Sequence, residues 1–342
     1  MELFSSQAIQ SGVGKLLSSN DICAYMVKKL SFFFLLILTT NLFAQRNSNF
    51  SLAEDSLKHL SHQILSAPEE FVRYDAAKRF DSLMFETLSN PDSWDYSFDS
   101  LKSVSKLVSD DEVFRIFTWG IPKQDGTYEY AGILQLRQDK KKSRLFRLND
   151  LSLEIKKPEE VILGPDNWYG AIYYKLITTS YNDMTYYTLL GWDACSVQTR
   201  RKVIDMVSFD SKGEVVFGAA IFTHFPRKVK RVLFEYSSKV SMTLNYSEQG
   251  IKEKTGTGKN VKTKESHKEM IVFDRLVPQD PQLEGIYAYY VPETNVNDGF
   301  LFEKGKWQFV KEVDARNPKH SGKPLPKSKQ ERDLLPPASP KK

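Results

Sequence analysis

The sequence predicts an α+β protein that is mainly β, with an N-terminal helical hairpin packed on a large, mostly antiparallel sheet or sandwich. Three observations carry this. Apolar residues between about 50 and 90 recur at helical spacing, and from about residue 112 the period falls to two. The strand-like segments then follow one another without long helices between them, which favours antiparallel pairing over βαβ crossovers. With 342 residues, 41% hydrophobic and 27% charged, the composition is that of an ordinary globular protein and the chain can bury a sizeable core.

The first segment is expected to be removed. From Met26 the chain reads Met-Val-Lys-Lys, then an apolar stretch from Leu30 to Phe43, then Ala44-Gln45. A basic start, an apolar stretch and a small residue at the cleavage point describe a secretory signal peptide over 26–44. The stretch falls short of the roughly 20 apolar residues a spanning helix needs, so no stable membrane span is expected after cleavage. Residues 1–25 are polar and precede a complete signal, so they read as an extension upstream of a true start at Met26. The protein is therefore expected to be exported, periplasmic or associated with the cell surface. Its mature chain keeps one cysteine, Cys195, which cannot form an internal disulfide and reads as a small buried hydrophobe.

Residues 45–109 form the helical segment. Ser51 and Glu54 have capping-box spacing, and Ala53, Leu57, Leu60 and Ile64 follow as an apolar stripe. Pro68 suits the start of a second helix, whose stripe reads Phe71, Tyr74, Ala77, Phe80, Met84, Leu88 before Asn90-Pro91 stops it. Leu101 to Val108 suggests a shorter helix.

Residues 110–316 form the β-rich domain. Its expected strands are Val113–Ile121, Tyr128–Leu136, Arg144–Leu148, Ala171–Thr179, Thr185–Trp192, Lys202–Phe209, Glu214–Phe217, Val229–Tyr236, Val240–Tyr246, Met270–Leu276, Ile286–Tyr290 and a pair around Phe300 and Phe309. Asp125-Gly126, Asp210 to Gly213 and Glu303 to Lys306 read as turns. A two-residue turn at Asn182-Asp183 sets Tyr181 opposite Met184 and Thr179 opposite Tyr186. Carried outward, that register puts Tyr174 opposite Gly191 and Tyr173 opposite Trp192. Residues 317–342 hold six Pro and seven basic residues against two acidic ones, the composition of a disordered basic tail. Between Gln45 and Arg316 the chain carries 38 basic and 39 acidic residues, so no nucleic-acid partner is implied.

Familiar chemistries are missing. Lys254 to Lys259 resembles the end of a phosphate-binding loop, but Glu253 stands where a glycine is needed and Asn260 where Ser or Thr is needed. The lysine-rich stretch from Ser247 to Lys268 is read as a solvated loop. His59 and His62 share a helical face with Asp55 but lack a fourth ligand, so no metal and no cofactor is expected. Asp193, Glu235 and Asp274 lie in or beside strands, and nothing in their spacing selects a catalytic pair.

The stretch Tyr186 to Asp193 (Tyr-Tyr-Thr-Leu-Leu-Gly-Trp-Asp) is followed by Lys202-Val203-Ile204-Asp205, Phe217-Gly218, Arg231 to Ser237, Ile271 to Asp274 and Gly305-Lys306-Trp307. With a signal ending Phe43-Ala44-Gln45, this resembles a group of uncharacterised exported, strand-rich proteins of the Bacteroidota. The resemblance spans about residues 114–317 and implies export and a strand-rich fold, but no activity, cofactor or catalytic residue. In that group Gly-Trp-Asp is usually followed by Gly or Asn, whereas Ala194-Cys195 follow here.

Two functions fit. The favoured one is a non-catalytic envelope protein, binding or structural, whose partner is a glycan, a peptide or another protein. Trp119, Trp192, Trp307, Tyr173 and Tyr289 would supply flat contact, with Asp193 or Asp274 accepting hydrogen bonds. The alternative is a carboxylate-dependent hydrolase of an envelope polymer. The signal-peptide reading has a direct check: N-terminal sequencing of the native protein is expected to begin at Gln45, and a start at Met1 or Met26 would overturn it.

Overall fold

The structure is a computed structural model that describes residues 49–139, 142–255 and 262–313. The expected signal peptide, the upstream extension, the basic tail and the glycine pair at 256 and 258 lie outside the described residues. Contacts divide the chain after Leu52, and of the first unit only residues 49–52 are described. Apart from the first turn of its opening helix, the architecture below belongs to the second unit, from Ala53 onward.

Two helices open the fold, α1 (49–66) and α2 (Glu70–Ser89). Helix α1 begins before Ser51, so Ser51 does not cap it. Glu54 is buried instead, and its carboxylate accepts from Tyr96 OH at 2.6 Å and from the Ser100 amide at 2.7 Å. Leu57, Leu60 and Ile64 form the buried stripe of α1, and Phe80, Met84 and Leu88 that of α2. Phe71 departs from expectation and is 74% exposed. Each i+3 step turns 300°, so the three steps from Phe71 to Phe80 drift by half a turn and put the two rings on opposite faces. Buried Arg73 fixes the connection between the helices by donating to the carbonyls of Ala67, Pro68 and Pro122.

Three sheets follow. The first is a meander of β1 (Ser105–Val108), β2 (Phe114–Pro122), β3 (Tyr128–Asp139) and β4 (Lys142–Asn149). The segment 101–108, expected to be helical, therefore ends in a strand, because Ser105–Val108 pairs with Thr118–Arg115 and that pairing overrides a weak local preference. The middle sheet has the order β10-β7-β6-β5, built from β5 (Ile172–Tyr181), β6 (Met184–Asp193), β7 (Thr199–Phe209) and β10 (Val232–Ser237), with β8 (Val215–Phe217) on the far end of β7. The third has the order β11-β12-β13-β14-β9, from β9 (Phe222–Thr223), β11 (Leu244–Thr255), β12 (Lys262–Pro278), β13 (Tyr290–Glu303) and β14 (Lys306–Val313). Among the described strands, β9 with β14 is the one parallel pair.

The cores show how the layers stack. Phe117, Trp119, Ile121 and Ile133 on one face of the first sheet meet the helices. Phe114, Ile116, Tyr130 and Leu134 on its other face meet Tyr173, Tyr187, Leu189 and Val203 of the middle sheet. The back of the middle sheet, with Ile177, Leu190, Ile204 and Val232, meets Leu244, Ile271, Phe273, Phe300 and Trp307 of the third. The result is α+β and mainly β: helices, then three sheets in succession.

The Asn182-Asp183 turn forms as expected, with both residues at positive φ (48° and 61°) and Tyr181 opposite Met184. Farther out the register differs by one, because a bulge between Tyr173 and Lys175 sets Tyr173, not Tyr174, opposite Gly191. A Cβ at Gly191 would lie 2.9 Å from the Tyr173 ring, so the ring does cover a strand glycine. Ile286–Tyr290 is not a strand: Tyr287–Tyr289 make a single 3-10 turn and β13 begins at Tyr290. The stretch read as a solvated loop is instead paired strand on both sides of 256–261, with Lys252 opposite Glu265 and Glu253 opposite Lys264.

The contrast between Phe71 and Phe80 is testable by urea unfolding. Phe80→Ala is expected to cost about 3–5 kcal/mol, whereas Phe71→Ala should stay within about 0.5 kcal/mol. Equal losses would contradict the face assignment.

Candidate functional site

Strand pairing brings three distant charges into one row. Asp193 on β6 is opposite Arg201 on β7, and Arg201 is opposite Glu235 on β10. Arg201 donates from Nε to Glu235 Oε2 at 2.9 Å and holds the same oxygen from Nη2 at 2.7 Å. Thr199 Oγ1 donates to the other Glu235 oxygen at 2.8 Å. Toward the interior, Arg201 Nη1 donates to Tyr169 OH at 3.0 Å, and Tyr169 OH donates to Asp193 Oδ2 at 2.8 Å. Asp193 and Arg201 themselves are 3.9 Å apart.

Burial decides the electrostatics here. It pushes Asp193 up to about 6, against the opposing pull of the Tyr169 hydrogen bond and the Arg201 charge. Cys195, beside Thr199 Oγ1 at 3.2 Å, is pushed up to about 11 by burial and then by the Asp193 charge. Its thiol is therefore protonated at neutral pH and is not an activated nucleophile.

The outer end of the row opens into a cleft of ≈ 250 Å³. One wall holds Arg201, Leu233 and Glu235. A second is the loop at Pro158 and Glu159, where Glu159 pairs with Arg227 at 2.7 Å. The third wall is Leu276, Tyr287 and Tyr290, the two tyrosine rings lying 5.0 Å apart between centroids. The loop is anchored from below by Arg231, which is fully buried. Arg231 pairs with Asp205 at 3.0 Å and donates to the carbonyls of Pro158 and Val161. Tyr173 OH lies 3.4 Å from the same Asp205 oxygen and accepts from Trp168 Nε1 at 3.0 Å.

The residues singled out in the sequence fall mostly elsewhere. Trp119, Trp192 and Trp307 are 3%, 9% and 0% exposed, and Tyr173 is fully buried. Trp307 donates to Thr188 Oγ1 at 2.9 Å, Trp119 meets Phe80 edge-on at 4.9 Å, and Trp192 meets Tyr128 edge-on at 6.0 Å. These four rings fill cores and offer no contact surface. Asp193 is buried behind Arg201 and does not line the cleft. Asp274 is remote from the row and accepts from the Thr243 amide at 2.6 Å and Asn297 Nδ2 at 3.0 Å. Tyr289 is 44% exposed and lies between two cleft tyrosines in sequence. Arg201, Glu159, Arg227, Leu276, Tyr287 and Tyr290 went unread. The one available signal was the cluster Tyr287, Tyr289 and Tyr290 in a Pro- and Gly-punctuated segment.

Among the described residues no group of three or more His, Cys, Asp or Glu is placed to hold a metal ion, and no helix is long and apolar enough to cross a membrane. Comparison with known proteins matches no family model, no curated protein and no solved structure.

The Asp193 environment predicts a pH signature. A carboxyl whose folded pKa of about 6 exceeds its ordinary 3.8 stabilises the fold below about pH 4, and that contribution is lost as pH rises through 6. Asp193→Asn keeps an acceptor for Tyr169 but cannot ionise. Its stability relative to the parent should be more favourable by about 2 kcal/mol at pH 7.5 than at pH 4. Denaturation at the two pH values measures this, and a gap that does not change with pH would refute the assignment.

Proposed function

We propose that the chain is an exported, non-catalytic binding protein of the cell envelope whose ligand enters the cleft beside β10. The observation that carries this reading is the lining itself: tyrosine and leucine surfaces facing two arginine–glutamate pairs in one concave site. Such sites, apolar with a few convergent polar groups, are where ligands bind. Export rests on the signal-like run at 26–44. The alternative, a carboxylate-dependent hydrolase, needs an acid and a base on either side of a scissile bond. Here both cleft carboxylates are engaged by guanidinium groups and Asp193 is out of reach, so the arrangement favours recognition.

The test is a pulldown from envelope extract with the mature protein, starting at Gln45, beside its Tyr287→Ala variant. Recovery of a glycan, peptide or protein should fall about tenfold in the variant, in line with loss of an aromatic anchor. Equal recovery by both proteins would sink the cleft assignment. Release of shortened polymer fragments by the parent would favour the hydrolase.

A further inference from the structure

Strand β10 is an edge of the middle sheet, and the cleft runs along that edge. In an antiparallel ladder the backbone groups of successive residues point alternately toward and away from the partner strand. The Leu233 amide points away from β7, because it meets Glu159 Oε1 at 3.4 Å. The backbone groups of Glu235, two residues on, therefore face outward as well. This fits its close side-chain pairing with Arg201, since non-hydrogen-bonded pairs bring side chains nearest.

The start of this edge already has a partial partner. Glu159 O accepts from the Lys230 amide at 2.7 Å, and the Glu159 carboxylate then continues in the same direction as a surrogate acceptor for Leu233. Beyond that point the outward backbone groups of Glu235 have no backbone partner among the described residues, whereas the outward Ser237 carbonyl accepts from the Val240 amide at 3.2 Å, so the open stretch of the edge is Leu233 to Tyr236.

From this geometry we propose that the cleft ligand is an extended peptide that adds a strand to the free edge of β10. The proposal rests on the cleft reading above and names its ligand. Outward backbone groups at Leu233 and Glu235 supply the ladder, as in other strand-addition sites. Because side chains of an added strand alternate between faces, one set meets Leu276, Tyr287 and Tyr290. The other set meets Arg201–Glu235 and Arg227–Glu159. The preferred peptide therefore alternates apolar or aromatic residues with polar residues able to accept from Arg and donate to Glu. With Ser237 O taken by the Val240 amide, the residues from Leu233 to Tyr236 give room for about three to four paired residues.

The probe is a phage-displayed random dodecapeptide library selected on the mature protein, followed by synthesis of the enriched peptides and fluorescence polarisation. Enriched sequences should alternate apolar and polar residues, and Tyr287→Ala should weaken them about tenfold. The decisive measurement is an N-methyl scan of one selected peptide. Blocking single backbone amides should reduce affinity tenfold or more at every second residue and less than about threefold at the residues between. A scan without that period, or a library with no enrichment, overturns the peptide assignment. If a purified envelope glycan binds the parent and not Tyr287→Ala while peptides do not bind, the inference fails and the binding function stands. If neither class binds, both fail.

Discussion

Along its central strand the middle sheet is covered on both faces, and much of the rest follows from that. All seven residues from Tyr187 to Asp193 on β6 are buried, because the first sheet covers one side and the third covers the other. Polar groups in such a layer need partners inside the protein. Thr188 accepts from Trp307 across the interface, Asp193 accepts from Tyr169, and Asp205 pairs with Arg231. Trp307, Tyr169 and Tyr173 are among the aromatic residues whose polar atoms serve this layer.

The Asp205–Arg231 pair shows that burial of charge has a purpose other than net stability. Two charges taken fully from water gain little over well-packed apolar residues, although removing only one of them costs about 3–5 kcal/mol. Arg231 donates from Nη1 to the carbonyls of Pro158 and Val161, while its Nη2 is buried without a hydrogen-bond partner and lies 3.1 Å from where a Cβ at Gly218, at φ 93°, would stand. The buried pair thus sets the position of the loop that forms the cleft wall. The second set of charges runs outward from buried to partly wet, with side-chain exposures of 4% at Asp193, 26% at Arg201 and 21% at Glu235. Interior specification and surface chemistry are joined through one β7 residue.

The fold was legible where local chemistry decides it. Alternation along β2 and β3 separates a helix-facing from a sheet-facing set, and Asn182-Asp183 tolerates the positive φ its hairpin turn demands. The bulge at Tyr174 was not legible, because it depends on contacts from far along the chain: its hydroxyl donates to Leu244 O at 2.9 Å and Lys202 sits over its ring at 4.5 Å. The site was legible only in fragments. Asp193 and Glu235 were named, but Arg201 acquires meaning once the register places it between them. A tryptophan between polar or small neighbours, as Trp192 is between Gly191 and Asp193 and Trp307 between Lys306 and Gln308, reads alike on a binding face and in a sheet covered on both sides, so nothing local marked either as core.

The two edges of the middle sheet are managed in different ways. A free edge invites pairing with other chains, and proteins usually blunt it. At the β5 edge, the bulge at Tyr174 interrupts the strand, Ser105 Oγ donates to Tyr173 O, and Thr178 Oγ1 accepts from the Asp110 amide at 3.2 Å. The first sheet and the turn after β1 therefore meet that edge at Tyr173 and Thr178. At the β10 edge the strand is regular over Val232–Ser237; the Val240 amide closes its far end at Ser237 O, 3.2 Å away, and the Leu233 amide is met by the Glu159 carboxylate at a long 3.4 Å. That carboxylate is shared with Arg227 and is partly solvated, so displacing it from Leu233 costs less than opening a backbone ladder of comparable length. One edge is held at Tyr173 and Thr178 by the first sheet and its turn, and the open part of the other is held by a contact weak enough to exchange.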